Sequence, residues 1–267
     1  MDLGLKDVTV LITGASGGIG LATCKLFLEL GARVVAHYNT TRAPLDEAFG
    51  DKVLAVQADL KSESDVSRLF AQLETPVAVL VANHGLWEER DVPIADMELA
   101  QWEHTLDTNL TSVFLLVRAY LRQLRTAGND VKAQANIIFI GSTAGRFGEA
   151  NHADYAASKS ALMYGLTLSL KNEIVRIAPR GRVNSIAPGW VRTPMAEAAL
   201  RDPVVVYRSL ATTPLKRFAT AEQIATQIAI TASSTVSGHI TGEVITVAGG
   251  MEGRLLNQPE DLDMSVV

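Results

Sequence analysis

Tyr155 and Lys159 stand four residues apart in a stretch of helical period, so a phenol and an ammonium share one helix face, about 6 Å apart at Cβ. A free tyrosine, with a pKa of about 10, exchanges protons poorly near neutrality. A neighbouring cation favours the phenolate, and the side chain then serves as general acid in one direction and general base in the other. Ser142 directly follows the β-rich run 136–141, where a hydroxyl at the carboxyl end of a strand can hydrogen-bond an oxygen on which charge is building. Taken alone, these three residue types at these spacings are as often ordinary surface polar groups.

A second feature changes that balance. Thr13-Gly14-Ala15-Ser16-Gly17-Gly18-Ile19-Gly20 follows an apolar run and opens a helical pattern. Glycines in such a turn allow positive φ and close approach of a ligand, while the unpaired N–H groups and dipole of the helix start favour a pyrophosphate. Gly14, Gly18 and Gly20 are spaced more widely than in the GxGxxG fingerprint, and a lone cluster of this kind also marks a plain tight turn.

The elements that must carry these groups alternate. Strand character appears over 8–13, 33–38, 53–58, 77–82, 136–141, 182–187 and 244–247, and helical patterns over 19–30, 63–74, 99–125 and 154–177. Short strands apolar on both faces, separated by helices, predict a doubly wound α/β domain with a mostly parallel sheet covered by helices on both sides. Residues 189–218 hold Pro194, Pro203 and Pro214 between short helical pieces and read as a lid above the sheet, within a single domain spanning 1–250. The tail, 251–267, carries four carboxylates against Arg254 and reads either as frayed or as an arm packed on a neighbouring subunit.

Composition narrows the partners. Twenty-four Lys+Arg against 29 Asp+Glu give a net charge of -5, so there is no global cationic field for nucleic acid. The longest apolar run is far short of a membrane span, and a single cysteine, Cys24, forms no internal disulfide; both point to a soluble cytoplasmic protein. His37, His84, His104, His152 and His239 show no metal-ligand spacing, so no metal is expected. Cys24 reads as a small helix or core residue.

The motifs join up along residues 5–250. The glycine turn with Thr13, Asp59-Leu60, Ala82-Asn83-His84-Gly85, Asn109-Leu110-Thr111-Ser112, Ser142, Tyr155-Ala156-Ala157-Ser158-Lys159, Pro188-Gly189 with Thr193, and Gly242 with Gly249-Gly250 together resemble the short-chain dehydrogenase/reductase family. In overall look the chain is most similar to its oxoacyl-carrier-protein reductases and glucose dehydrogenases. The resemblance implies a Rossmann-type seven-stranded sheet and a nicotinamide coenzyme that exchanges a hydride between a carbonyl and a secondary alcohol. It implies Asn109, Ser142, Tyr155 and Lys159 as catalytic residues, with Lys159 also on the nicotinamide ribose and Asn109 holding a relay water. It places the coenzyme against Gly14, Ser16, Gly17, Gly18, Ile19, Gly20, Tyr38, Asn39, Arg42, Asp59, Leu60, Asn83, Gly85, Tyr155, Lys159, Pro188, Gly189, Val191 and Thr193. His84 stands where the family usually has alanine, and reads as a tolerated polar side chain near the coenzyme or as a contact to it.

An acidic residue at the end of the second strand would bind the adenosine ribose and repel a 2'-phosphate. Tyr38 occupies that position, followed by Asn39-Thr40-Thr41-Arg42, which favours NADP(H), with NAD(H) as the alternative. Trp87, Phe147, Glu149, Asn151, His152, Trp190 and Met195 are the expected substrate walls, suited to a modest carbonyl or alcohol with polar decoration, or else simply fold packing. The resemblance also implies a homotetramer. Two rival functions, a silent nicotinamide-binding regulator and non-redox epimerase or lyase chemistry, are disfavoured by the intact tyrosine, lysine, serine and glycine turn.

Overall fold

The computed structural model describes residues 2–197 and 199–253. Strands β1 (Thr9–Ile12), β2 (Arg33–Tyr38), β3 (Leu54–Gln57), β4 (Val79–Ala82), β5 (Asn136–Ile140), β6 (Arg182–Pro188) and β9 (Val244–Val247) form one sheet in the order β3-β2-β1-β4-β5-β6-β9. Every pairing in it is parallel. A separate two-stranded ladder joins β7 (Val191–Arg192) to β8 (Ala219–Thr220). This is the expected Rossmann-type architecture.

Side chains that alternate along each strand divide the core in two. Val10 and Ile12 of β1, Val79 and Val81 of β4, and Ile138 and Ile140 of β5 enter one layer, with Cys24 and Phe27 of α1 (Gly18–Glu29) and Ile224 and Ile228 of α11 (Ala221–Ala232). Leu11, Leu80, Ile137 and Phe139 enter the other, against Val66 and Leu69 of α3 (Glu63–Ala71), Leu116 and Tyr120 of α5 (Ser112–Thr126), and Leu170 and Ile174 of α9 (Thr167–Ile174). A sheet apolar on both faces must be covered on both, and the period-2 strands and period-3.6 helices supply matching faces.

The two long helical stretches are not single α-helices. Helix α4 (Leu99–Leu106) passes into α5 through a π-helical turn, Asp107–Thr111, and α8 (Ala153–Ser160) passes into α9 through another, Ala161–Leu166. Each π turn inserts extra backbone into the helix, which a reading by apolar period does not register. Short helices α2 (Ala43–Phe49), α6 (Asn129–Ala133) and α7 (Thr143–Phe147) lie in connections. Helix α10 (Pro203–Ala211), capped by Asp202 Oδ1 on the Val204 N–H at 2.8 Å, lies within the stretch read as a lid. Of the tail, residues 254–267 lie outside the described residues, and the choice between a frayed end and an intersubunit arm lies there with them.

Candidate active site

The strand order reverses between β1 and β4, which opens a crevice at their carboxyl ends. The glycine turn leaves β1 there and the Asn83–Gly85 turn leaves β4. A cavity of about 390 Å³ fills the crevice, within the ordinary range for a small-molecule site. Gly17 caps α1 with no side-chain hydrogen bond, so the first N–H groups of that helix are left for an anion. A Cβ on Gly20 would stand 2.2 Å from the Gly14 carbonyl oxygen, which is why the helix can start so close under the turn only with glycine there.

The turns are tied together by Thr13. Its Oγ1 accepts from the Asn83 N–H at 3.0 Å, and Asn83 Nδ2 donates back to the Thr13 carbonyl at 2.9 Å. His84 Nδ1 lies 2.7 Å from Thr13 Oγ1 and its Nε2 lies 2.8 Å from Ser112 Oγ. Ser112 already donates to the Thr108 carbonyl at 2.7 Å, so Nε2 carries the proton and Nδ1 accepts. Desolvation, helped by the neighbouring His37 and Lys159, pushes His84 down to about 3, so the ring is neutral. His37, buried beside it, accepts from the Gly14 N–H through Nδ1 at 3.3 Å and donates Nε2–H to the Ala58 carbonyl at 3.0 Å; burial lowers its pKa as well.

Tyr155 and Lys159 project from α8 into the cavity. The Lys159 ammonium lies 5.6 Å from the centre of the Tyr155 ring and donates to the Ile140 carbonyl at 2.9 Å. Burial pulls this lysine down to about 8. Gly85 makes room for it, since a Cβ there would meet Lys159 Nζ at 3.1 Å and Asn109 Oδ1 at 3.3 Å. Ser142 Oγ accepts from the Ala144 N–H at 3.1 Å, which leaves its own proton to donate. Asp154, fully buried, anchors the start of α8: Oδ1 accepts from the Tyr155 N–H at 2.8 Å and Oδ2 from Thr105 Oγ1 at 2.7 Å.

Most residues singled out in the sequence line this cavity: Gly14, Ser16, Gly17, Gly18, Ile19, Asn39, Asn83, Gly85, Trp87, Ser142, Glu149, Tyr155, Lys159, Pro188, Gly189, Trp190, Val191, Thr193 and Met195. Others are placed differently. Gly20 lies beneath the turn, and Tyr38, Arg42, Asp59 and Leu60 are not in the wall, to which His37 and Thr40 contribute instead. Arg42 bonds Asp46 at 2.9 Å, four residues on, and Asp59 Oδ1 accepts from the Lys61 N–H at 3.0 Å. Asn109 is buried and pins the Leu86 backbone at both ends, its Oδ1 accepting from the N–H at 2.7 Å and its Nδ2 donating to the carbonyl at 2.9 Å. Asn151 and His152 line an adjoining cavity, and Phe147 lines neither. The sequence reading missed Asp154 and the bridge of His84 from Thr13 to Ser112. An acidic residue in the first turn of the helix that bears Tyr155 is the one signal that could have pointed to the first of these.

The parallel sheet, the crevice at its switch point and the bare helix start define a doubly wound α/β protein of the dinucleotide-binding class. The family model described as short chain dehydrogenase matches residues 8–203. A 3-oxoacyl-[acyl-carrier-protein] reductase of Synechocystis sp. is 33% identical over 257 residues, covering 92% of this chain and 98% of that one. A cis-4-hydroxycyclohexanecarboxylate dehydrogenase of Sinomonas cyclohexanicum is 32% identical over 250 residues, covering 90% and 94%. The solved structure of gox2181 superposes with a TM-score of 0.84 at 26% identity, covering 94% of this chain and 97% of that one. The chain belongs to the short-chain dehydrogenase family, whose NAD(P)H-dependent oxidoreduction is its chemistry.

Proposed function

We propose that this protein interconverts a ketone and its secondary alcohol, with Tyr155 as the proton donor and acceptor and NADP(H) as the preferred coenzyme. The carrying observation is the placement of Tyr155, beside a buried lysine, in the same cavity as the glycine turn and Ser142. A nicotinamide coenzyme held at the glycine turn and the Asn83–Gly85 turn would supply the hydride and account for the two-electron change, and Tyr155 Oη supplies the proton that completes the alcohol. Ser142, with its proton uncommitted by the Ala144 bond, donates to the carbonyl oxygen as charge builds. The Lys159 cation, held by the Ile140 carbonyl, stabilises the tyrosinate left behind. Asn109 acts as a positioning residue: it holds Leu86, and through Nδ2 it also donates to Ser158 Oγ at 3.1 Å, one residue before Lys159.

The coenzyme preference is supported by what β2 presents. His37, Asn39 and Thr40 line the cavity there, and no carboxylate among them would repel a 2'-phosphate. The stretch 189–218 is proposed as the substrate lid, and a homotetramer as the working state, the latter supported by Phe114 of α5 and Tyr164 and Leu168 beside and on α9, all exposed.

Tyr155→Phe tests the assignment. Coenzyme affinity should hold while turnover falls by about 100-fold or more, because only the transferable proton is lost. Steady-state kinetics beside a coenzyme titration reads both, and near-normal turnover would remove Tyr155 from the reaction.

A further inference from the structure

Trp87 and Trp190 line the cavity that holds Tyr155 and Ser142, and both also line the second cavity that adjoins it. Of the described residues around that second cavity none belongs to the glycine turn, so the two tryptophans stand at the end of the first cavity away from the turn. Their rings meet at 79° with centroids 6.2 Å apart and make a corner of two nearly perpendicular aromatic surfaces. Pro188 and Met195 add apolar wall to the same cavity. The corner is held in place by the elements that hold the reacting groups. Leu86, pinned at its N–H and its carbonyl by Asn109, directly precedes Trp87. The buried His152 ring packs on Trp87 at a centroid distance of 4.9 Å, and the His152 carbonyl accepts from the Ala156 N–H at 3.0 Å in the first turn of α8, the helix of Tyr155. The Trp190 carbonyl accepts from the Ala219 N–H at 3.0 Å, beside the β7–β8 ladder. Neither tryptophan enters either layer of the core, and both are half-buried, so covering the sheet does not account for them.

We infer that the substrate is a ketone bearing an aromatic ring, and that Trp87 and Trp190 are the residues that select it. This rests on the carbonyl chemistry proposed above and names the substrate class that chemistry would serve. Aromatic pairs favour offset-stacked or edge-to-face contacts, and a perpendicular corner offers both to one planar ring at once. Because the corner is already built, little further ordering of the protein is needed when such a ring docks. A flexible alkyl chain loses rotamer freedom on binding and makes no ring contact, and a saturated ring fills the space without the aromatic pairing.

The test is a series of methyl ketones of equal carbon count. The full-length enzyme with NADPH and with NADH is given benzylacetone, its ring-saturated cyclohexyl counterpart and the straight-chain ketone, in all of which the carbonyl is insulated from the variable group and has similar intrinsic reactivity. The expected order of kcat/KM is aromatic, then cyclohexyl, then straight chain, with about tenfold between the first and the last. Trp87→Leu and Trp190→Leu should each lower the ratio of aromatic to straight-chain kcat/KM, and Trp87→Phe, which keeps a ring, should keep most of it. Equal kcat/KM for benzylacetone and its saturated counterpart, or preference for the straight chain, would overturn the inference, and so would a ratio that neither leucine variant changes. If the coenzyme binds and no ketone is turned over, the carbonyl reading falls for such ketones, and calorimetric titration of the enzyme–NADP+ complex with the same three compounds decides the rest. Tighter binding of benzylacetone that Trp87→Leu abolishes would uphold the aromatic site by itself, and equal or absent binding would end it.

Discussion

His84 occupies a place in the family pattern usually filled by alanine, and the imidazole has been made part of the frame. It bridges Thr13, at the end of β1, to Ser112, at the start of α5, and so locks the glycine turn to the helix that follows Asn109. Two hydrogen bonds in a partly buried setting contribute about 1–2 kcal/mol at neutral pH, which His84→Ala should remove. The pH dependence has a definite sign. With the folded value near 3 and the ordinary value at 6.5, the unfolded chain binds a proton that the folded chain refuses within that window. Wild-type stability is present in full above 6.5 and declines as the pH falls toward 3. Urea unfolding at pH 7 and pH 4.5 should show the gap between wild type and His84→Ala narrowing at the lower pH. A gap that stays constant would mean that the ring is not held neutral. Cys24, by contrast, has been left to packing: burial pushes its thiol up to about 12, far from thiolate reactivity.

At the scale of elements, helix ends decide how the layers lock. The last carbonyls of α11 have no partners within the helix, and the first residues of two strands supply them. Asn136 of β5 donates Nδ2 to the Thr231 carbonyl at 3.0 Å, while Arg182 of β6 donates to Thr231 and Ala232, both at 2.9 Å. Burial lowers Arg182 to about 10, still a cation at neutral pH and suited to the negative end of the helix. Arg182→Met should therefore cost about 2–3 kcal/mol in urea unfolding. Coenzyme affinity should be untouched, because Arg182 does not line the cavity. The same reasoning explains why Asp154 matters: one carboxylate orients the first turn of α8 and fastens it to Thr105 of α4, so Tyr155 and Lys159 are presented from a fixed helix.

For the molecule as a whole, the cavity exists only when the turns after β1 and β4, the ends of β2, β5 and β6, helix α8 and the segment around Val191–Ala196 are assembled, since each contributes a stretch of wall. A ligand that needs all of them binds the folded chain and not the unfolded one. Coenzyme at about 100 times its Kd should then add about 2.7 kcal/mol to the unfolding free energy. Thermal melts at matched concentrations should show a larger shift with NADP+ than with NAD+, following the absence of a carboxylate from His37, Asn39 and Thr40. Equal shifts would place coenzyme selection elsewhere.

The alternation of strand and helix, the glycine turn and the Tyr155–Lys159 pair were legible in the residues because each is local: period, spacing and turn chemistry act within a few positions of the chain. Two apolar faces per strand likewise implied a covered parallel sheet. What needed the tertiary structure was every relation across the fold. Asn109 lies within the first π turn, Asp107–Thr111, and the second, Ala161–Leu166, follows the end of α8, neither of which an apolar period registers. Asn109 is held against the Leu86 backbone and Ser158, and Asn151 and His152 line a second cavity beside the one at the glycine turn. Such contacts join residues tens of positions apart, as His84 joins Ser112 and Thr13, and side-chain direction at that range is set by packing, of which a linear pattern carries no trace.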